Sequence, residues 1–443
     1  MAFPNVLIII AHDLGRHLGC YGVPTVQSPN IDALAADGVK FTNAYCVAPQ
    51  CSPSRAALFT GRYPHQNGVM GLCHALFAWD LYPEERHLAA ILNGAGYLTA
   101  LAGVQHETTR PKEMGWQEIL PVRVVDGRPQ CARAADAAAA YLRGRAAKEE
   151  PFYLQVGFFE PHRAPGTPGE FGTMPADRQK GVTVPPFLVD DAGAEEELAH
   201  YQGAVRAMDA AVGTILAALA EDRARNENTI VVFTTDHGIP FPRAKCSVYD
   251  PGLQICLLLR WHANGIHGGQ AIPAMIPNID LLPSLLELAG VSRPRDAPPV
   301  AGRSFAPLLT GKPYAPRAEI YGGMTYHDYY DPLRCIRTDR WKLIVSFCYN
   351  LSLMDPSQEW RPRTITKTPP DPSRARHDLV ELYDLQADPR ETRNLASDPA
   401  HAAVRTDLLR RLRAFMEETN DPLLKGVPPS PMHRMALDAL QHA

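Results

Sequence analysis

The chain has 443 residues, 45% of them hydrophobic and 21% charged, a composition suited to a soluble globular protein with one large domain plus a smaller one, or two of ordinary size. Its 44 basic and 48 acidic residues give a formal net charge of −4, so neither a nucleic acid nor a membrane is expected as a partner. The nine cysteines form no CxxC and no zinc-finger spacing, and read as mostly buried thiols in a reducing compartment.

The apolar run Val6-Leu7-Ile8-Ile9-Ile10 is too short to span a bilayer, and it lacks a basic leader and a small-residue cleavage site. It reads as a buried first strand over 6–11. The protein is expected to be cytoplasmic, or an exported form numbered without its leader. Residues 29–38 read as a short helix with Asn30 as N-cap and Gly38 as stop. A strand follows at 39–44, and a helix at 54–60 starts after the turn at Pro53. Helical spacing over 87–95 precedes a strand at 98–102. A helix at 132–147, a strand at 152–159 and a long amphipathic helix at 195–221 come next. Strands at 229–235 and 255–260 and a helix at 279–288 complete the alternation. Strands alternating with helices predict an α/β sheet with helices on both faces.

After about residue 316 the rhythm changes. A strand pair at 335–345, a strand at 380–383 and a helix at 401–419 suggest a smaller α+β domain with an antiparallel sheet. Residues 356–376, rich in proline and charge, read as a loop or insertion. The expected division is a catalytic domain at 1–315 and a C-terminal subdomain with its tail at 316–443.

In open α/β sheets the ligand site lies beyond the carboxyl ends of the strands. Three strands here end in His12-Asp13, in Glu160-Pro161-His162-Arg163 and in Asp236-His237. The cluster Gln105-His106-Glu107 follows the strand at 98–102. Singly, each has an ordinary explanation, since an Asp after a strand is commonly a helix cap. Four at equivalent positions point instead to carboxylate and imidazole ligands for Ca²⁺, Mg²⁺, Mn²⁺ or Zn²⁺, and so to a metal-assisted hydrolase.

The segment Cys51-Ser52-Pro53-Ser54-Arg55, continuing to Thr60-Gly61-Arg62, resembles the signature of the sulfatase family. Ser28-Pro29-Asn30-Ile31-Asp32, Ile279-Asp280-Leu281-Leu282-Pro283 and Glu381-Leu382-Tyr383-Asp384-Leu385 resemble further motifs of that family. His65-Gln66-Asn67-Gly68, Gly238-Ile239-Pro240-Phe241-Pro242 and Glu418-Thr419-Asn420-Asp421-Pro422 are most similar to its sulfamidase (heparan N-sulfatase) branch. The resemblance implies an alkaline-phosphatase-like fold, with a mixed, mostly parallel sheet. It also implies that Cys51 is oxidised by a formylglycine-generating enzyme. One hydroxyl of the hydrated aldehyde then attacks sulfur and the other later expels sulfate. On physical grounds alone, a residue just before a helix start is a good place for an anion, and Arg55 one turn on can bind its oxygens.

By the same resemblance His12, Asp13, Asp236 and His237 stand at the metal-ligand positions, with formylglycine at 51 completing the shell around one divalent ion. Lys245 and His162 bind sulfate and protonate the leaving group, and His106 assists release of the second hydroxyl. Glu160, Arg163, His74 and His327, the last beside Asp328, are assigned to substrate binding. Two departures stand out at the ligand positions. The family has Asp-Asp where this chain has His12-Asp13, and often Asp-Asn where it has Asp236-His237, a change shared with phosphonate monoester hydrolases. Imidazole in place of carboxylate shifts the expected ion from Ca²⁺ toward Mn²⁺ or Zn²⁺, or leaves His12 outside the shell. The family lysine of Gly-Lys-x-His is here Val104, which Arg163 is a candidate to replace. The expected activity is sulfatase action on a sulfated saccharide. The alternatives are a phosphonate or phosphate ester hydrolase and a non-catalytic sulfate-binding homologue. The oligomeric state is left open.

Overall fold

The computed structural model describes residues 3–74, 77–124, 127–145, 149–167, 170–354 and 375–441. The predicted insertion at 356–376 therefore lies almost wholly outside the described residues. The main sheet contains β1 (Asn5–Ala11), β2 (Val39–Tyr45), β3 (Leu98–Gly103), β4 (Glu118–Leu120), β5 (Phe152–Gly157), β6 (Thr229–Thr235), β7 (Gln254–Ile255), β8 (Leu257–Arg260) and β9 (Gln270–Pro277). They lie in the order β4-β3-β5-β1-β6-β8-β2, with β7 and β9 both paired to β2. Every pairing from β4 to β6 is parallel, whereas β8 runs antiparallel to β6 and β2. The sheet is thus mixed and mostly parallel, as expected.

β1 lies between β5 and β6, which explains a run without a polar face. Val6, Ile8 and Ile10 enter one core with Leu88, Ile91, Leu281 and Leu285. Leu7, Ile9 and Ala11 enter the other with Ala135, Ala138, Leu198 and Val205. The helix Ala192–Ala220 is long and apolar enough to cross a membrane, but Leu198, Tyr201, Val205, Met208, Val212 and Ile215 are buried in this second core. It is a core helix.

Some boundaries move for identifiable reasons. Helix α1 (Pro29–Asp37) has Ser28, not Asn30, at its N-cap position. The carboxylate of Asp209, from the long helix, accepts from the N–H groups of Asn30 and Ile31 at 3.2 and 2.8 Å and so satisfies the end that a local cap was expected to serve. Helix α2 (Cys51–Thr60) starts three residues before the predicted position; Pro53 sits in its first turn, where no N–H is needed. The predicted strand at 255–260 is split at Cys256, whose N–H is taken by Gly15 O at 2.8 Å. β4 is only three residues long and largely exposed, and the apolar run of β9 is broken by Pro273 and Pro277, which speak against a strand.

A second sheet, antiparallel throughout, has the order β10 (Glu319–Tyr326), β11 (Tyr330–Thr338), β12 (Trp341–Ser346) and β13 (Val380–Asp384). The predicted strand pair captures β11 and β12. β10 escapes the pattern because it carries Gly322-Gly323, where a Cβ on Gly323 would lie 2.7 Å from Leu333 O. Leu408, Leu412, Phe415 and Met416 of the helix Ala402–Glu418 pack on Ile336, Leu343 and Leu382. That core also takes in Val47, Ala57 and Tyr63, so the second sheet backs onto α2.

A buried charge cluster fastens the two sheets together. Lys342, fully buried on β12, places Nζ 2.8 Å from Asp250 Oδ1 and 2.9 Å from Glu391 Oε1. Arg337 reaches Asp250 from β11 at 3.1 Å. Removing one member of such a cluster leaves an uncompensated buried charge. Lys342→Met is expected to lower unfolding stability by about 3 kcal/mol, read by urea denaturation. A loss under about 0.5 kcal/mol would show that the cluster does not join the sheets.

Candidate active site and metal centre

Four strand ends converge at one edge of the main sheet: β1 leads into His12-Asp13, β6 into Asp236-His237, β3 into the loop bearing His106, and β5 into the loop bearing His162. Asp13 takes φ +52°, a left-handed turn that aspartate tolerates better than most residues. The turn brings its N–H to Asp236 Oδ1 at 2.9 Å. Two glycines allow the loops to pass closely. A Cβ on Gly238 would lie 2.0 Å from Pro251 O, and one on Gly157 would lie 1.8 Å from Val104 O.

Helix α2 carries Cys51 as its first residue, and the side chain is buried. Arg55, also buried, donates from Nε to Asp236 Oδ2 at 3.0 Å and from Nη2 to Ala11 O at 3.1 Å. Ser54 Oγ donates to Asp236 O at 2.5 Å. These bonds hold the helix start against the ends of β1 and β6. Arg55 thus braces a carboxylate of the cluster from behind.

His12, Asp13, Cys51, Asp236 and His237 are all buried and present ligand atoms within 4.8 Å of one another. His237 Nδ1 donates to Gly238 O at 3.0 Å, which aims Nε2 at the carboxylates, where it can offer a lone pair to an ion once its own proton is released. That Nε2 faces Asp13 Oδ1 at 3.1 Å without hydrogen-bond geometry. His12 Nδ1 lies 2.7 Å from Asp13 Oδ1 and 3.3 Å from Asp236 Oδ2, and its Nε2 lies 3.2 Å from His106 Nδ1. Lone pairs converging on one small buried volume are a cation site, and these residues fit a divalent ion.

The charges around the cluster are mutually dependent. Burial opposes ionisation of Asp13, but Lys245 and the three surrounding imidazoles of His162, His12 and His237 hold its carboxyl well below the usual range. Burial likewise opposes charge on His12 and His237, yet Asp236 foremost, with Asp13, holds them up at about 9 and about 10. Lys245 Nζ donates to Asp13 Oδ2 at 2.8 Å and lies 3.0 Å from His162 Nε2. His162 Nδ1 sits 2.6 Å from Arg163 O, so the proton is on Nδ1 and Nε2 accepts from Lys245. Burial raises the Cys51 thiol, but Lys245 and His12 hold it well below its ordinary value. Burial foremost, with the nearby charges of His12 and Arg55, pushes His106 down to about 4 and keeps it neutral.

The remaining predicted residues divide. His327 is buried, with Nδ1 at 3.1 Å from Asp328 Oδ1, and His74 stands exposed with its ring 5.4 Å from that of His106. Both border the site. Glu160 does not serve it: its two oxygens accept from Gln130 N and Cys131 N at 2.7 and 2.8 Å and cap the helix Gln130–Gly144. Arg163 is also committed elsewhere, donating to Pro240 O at 3.0 Å and to Glu197 Oε2 at 2.7 Å while packing on Phe171 and Phe241. It does not replace the lysine absent at Val104. Sequence reading also passes over Cys73, whose Sγ donates to His106 O at 2.8 Å and whose N–H donates to Ser52 Oγ at 3.1 Å. Cys73 ties the His106 loop to the first turn of α2, a link between distant segments with no sequence signal. Glu107 is fully buried, with neither carboxylate oxygen hydrogen-bonded among the described residues.

The sulfatase family model matches residues 4–291, and the model for the N-sulphoglucosamine sulphohydrolase C-terminal region matches 241–359. The human N-sulphoglucosamine sulphohydrolase is 29% identical over 94% of this chain and 91% of its own length. A solved 2-O GAG sulfatase superposes with TM-score 0.73 at 22% identity, covering 98% of this chain and 96% of its own. A structure in complex with its substrate D-glucosamine-2-N,6-O-disulfate gives TM-score 0.69 at 20% identity, covering 95% and 98%. The phosphonate monoester hydrolase of Silicibacter pomeroyi gives TM-score 0.68 at 21% identity, covering 94% and 96%.

Because His12 and His237 hold protons in the metal-free protein, an incoming ion must displace them. Affinity for Mn²⁺ or Zn²⁺ is expected to rise with pH toward about 9 to 10 and to fall as the imidazoles protonate below that range. Calorimetry in buffers of different ionisation heat should register proton release on binding. An affinity independent of pH between 6 and about 8.5 would remove both histidines from the shell.

Proposed function

Since this chain belongs to the sulfatase family and is a sulfuric ester hydrolase, we propose that it cleaves a sulfate ester or sulfamate on a sulfated saccharide, with residue 51 converted to formylglycine as nucleophile. The observation that carries this reading is the placement of residue 51. It begins a helix, with the carboxylate–imidazole cluster on one side and the Lys245–His162 pair in the same charge network.

The conversion is a two-electron oxidation in which the CH₂–SH of Cys51 loses sulfur as H₂S, takes up an oxygen and becomes CHO. A formylglycine-generating enzyme is the partner required, with an external oxidant such as dioxygen to accept the electrons. The ion bound at His12, Asp13, Asp236 and His237 would supply Lewis acidity toward sulfate and the nucleophile. Two imidazoles beside two carboxylates favour Mn²⁺ or Zn²⁺ over the family's Ca²⁺.

The chain's own groups divide the rest of the work. Lys245 keeps its proton, since burial is outweighed by Asp13, and so offers a fixed cation to a sulfate oxygen. His162 accepts from Lys245 through Nε2 and orients its ammonium, the group of the pair that has a proton to pass to the leaving group. His106, neutral and in contact with His12, is the base for release of the second hydroxyl. His74 and His327 border the place of the leaving group and are assigned to its recognition.

A saccharide is supported by the N-sulphoglucosamine relative and by the structural neighbour bound to a disulfated glucosamine. The likeness to the phosphonate monoester hydrolase, with His237 at the ligand position, keeps phosphonate esters as the second reading.

Parallel assays with a sulfamate, an aryl sulfate and a phosphonate monoester separate these readings. Sulfamate or sulfate turnover is expected to exceed phosphonate turnover, and Cys51→Ala is expected to lower it about 10³-fold or more. The native peptide around residue 51 should carry the mass of the aldehyde. Equal activity of Cys51→Ala and the parent would end the proposal.

A further inference from the structure

A cleft of about 520 Å³ opens beside the turn that follows β1, bordered by both sheets. Pockets for small molecules span about 300–1,000 Å³. None of the cluster residues, nor Lys245, lines this cleft. Its wall is nonetheless continuous with the site through the backbone. Gly15 lines the cleft, and its N–H donates to His237 O at 2.8 Å.

The guanidiniums of Arg16, Arg337 and Arg390 line the cleft against the carboxylates of Asp250 and Asp339, and Asp250 is already held by Arg337 and Lys342, so the balance left is toward an anion. Arg16 is half-buried, and its guanidinium donates to Thr42 O at 2.7 Å and Gln254 Oε1 at 2.6 Å, both neutral acceptors. No described carboxylate pairs with Arg16 or with the exposed Arg390, which also lines the cleft. A half-buried guanidinium without a counter-ion is a ready partner for a carboxylate or sulfate. His17 lines the same wall, buried, with no hydrogen-bond partner for Nε2 among the described residues. Burial pushes its pKa down to about 4, so the ring is neutral and can pair with a hydroxyl. Tyr21 and Phe187 add ring surface, and the exposed carboxylate of Asp339 suits sugar hydroxyls.

We propose that this cleft is a second binding site, distinct from the nucleophile, for an acidic monosaccharide unit whose carboxylate or sulfate rests on Arg16 and Arg390. The choice of a saccharide rests on the substrate class proposed above; the charge of the ligand rests on the cleft alone.

The test is calorimetry on the full chain with D-glucuronate and, separately, inorganic sulfate. D-Glucuronate is expected to bind the parent and Cys51→Ala alike. Arg16→Gln should weaken binding about tenfold or more, and the surface change Arg390→Ala several-fold. Binding kept by both variants but lost in Lys245→Ala would place the ligand at the nucleophile and overturn the proposal. Absence of binding at about 10 mM overturns it as well. Sulfate binding as tight as D-glucuronate overturns the saccharide assignment. Hydrolysis of an aryl sulfate by the parent chain is read separately from D-glucuronate binding and distinguishes the two readings. A chain that binds D-glucuronate in the cleft yet cleaves no sulfate supports the cleft and refutes only the activity.

Discussion

Two buried carboxylates, Asp13 and Asp236, stand together at the ends of adjacent strands, where little water screens them. Like charges this close and this buried cannot both persist without cations. The surroundings read as an answer to that constraint. Arg55 meets Asp236 from the helix side, Lys245 meets Asp13 from the opposite loop, and His12 and His237 fill the space between. A divalent ion held by His12, Asp13, Asp236 and His237 would take the place of the two imidazolium charges, with release of their protons. The same balance lowers the Cys51 thiol and keeps Lys245 charged, so residue 51 lies in a field prepared for an anion.

Parallel pairing explains how the two carboxylates come to meet. Ala11 of β1 pairs with Thr235 of β6, so the next residues on each chain, His12-Asp13 and Asp236-His237, emerge side by side. Parallel strands share one carboxyl edge, which gathers the His106 and His162 loops from β3 and β5 to the same place. The second sheet contributes from behind. Its core holds Ala57 on the far side of α2, and its strand β10 ends beside His327. Through Lys342 it also grips the segment at Asp250, next to the glycine turn that carries His237.

The departures from the family pattern at His12 and at Val104 have structural counterparts. His12 sits within contact of both carboxylates and of His106, so a neutral-to-cationic ring occupies a place where the family carries negative charge. Val104 leaves the His106 loop without its cation, and Arg163 is held by Glu197 and two aromatic rings well into the core. On the function proposed above, sulfate recognition would fall to Lys245 and to imidazoles, whose charge follows pH. Glu107, buried beside His106 and unpaired, adds a further acidic group to that loop.

The nucleophile motif, the strand-end clusters and the α/β alternation were legible in the sequence because each is local: a spacing, a run or a dipeptide after a strand. Local signals also explain the misses. Glu160 looked like a site residue by its position after β5, but the free N–H groups at the start of Gln130–Gly144 claim both its oxygens. Asn30 looked like a cap until Asp209, from a helix far along the chain, took that role. Cys73 and the cleft beside Arg16 gave no sign at all, since each is assembled from segments remote in sequence. By itself the sequence determined which groups are available for chemistry and on which elements they ride. Tertiary structure alone decided which of those groups meet, because a buried charge or an open helix end takes the nearest partner in space, whatever its distance along the chain.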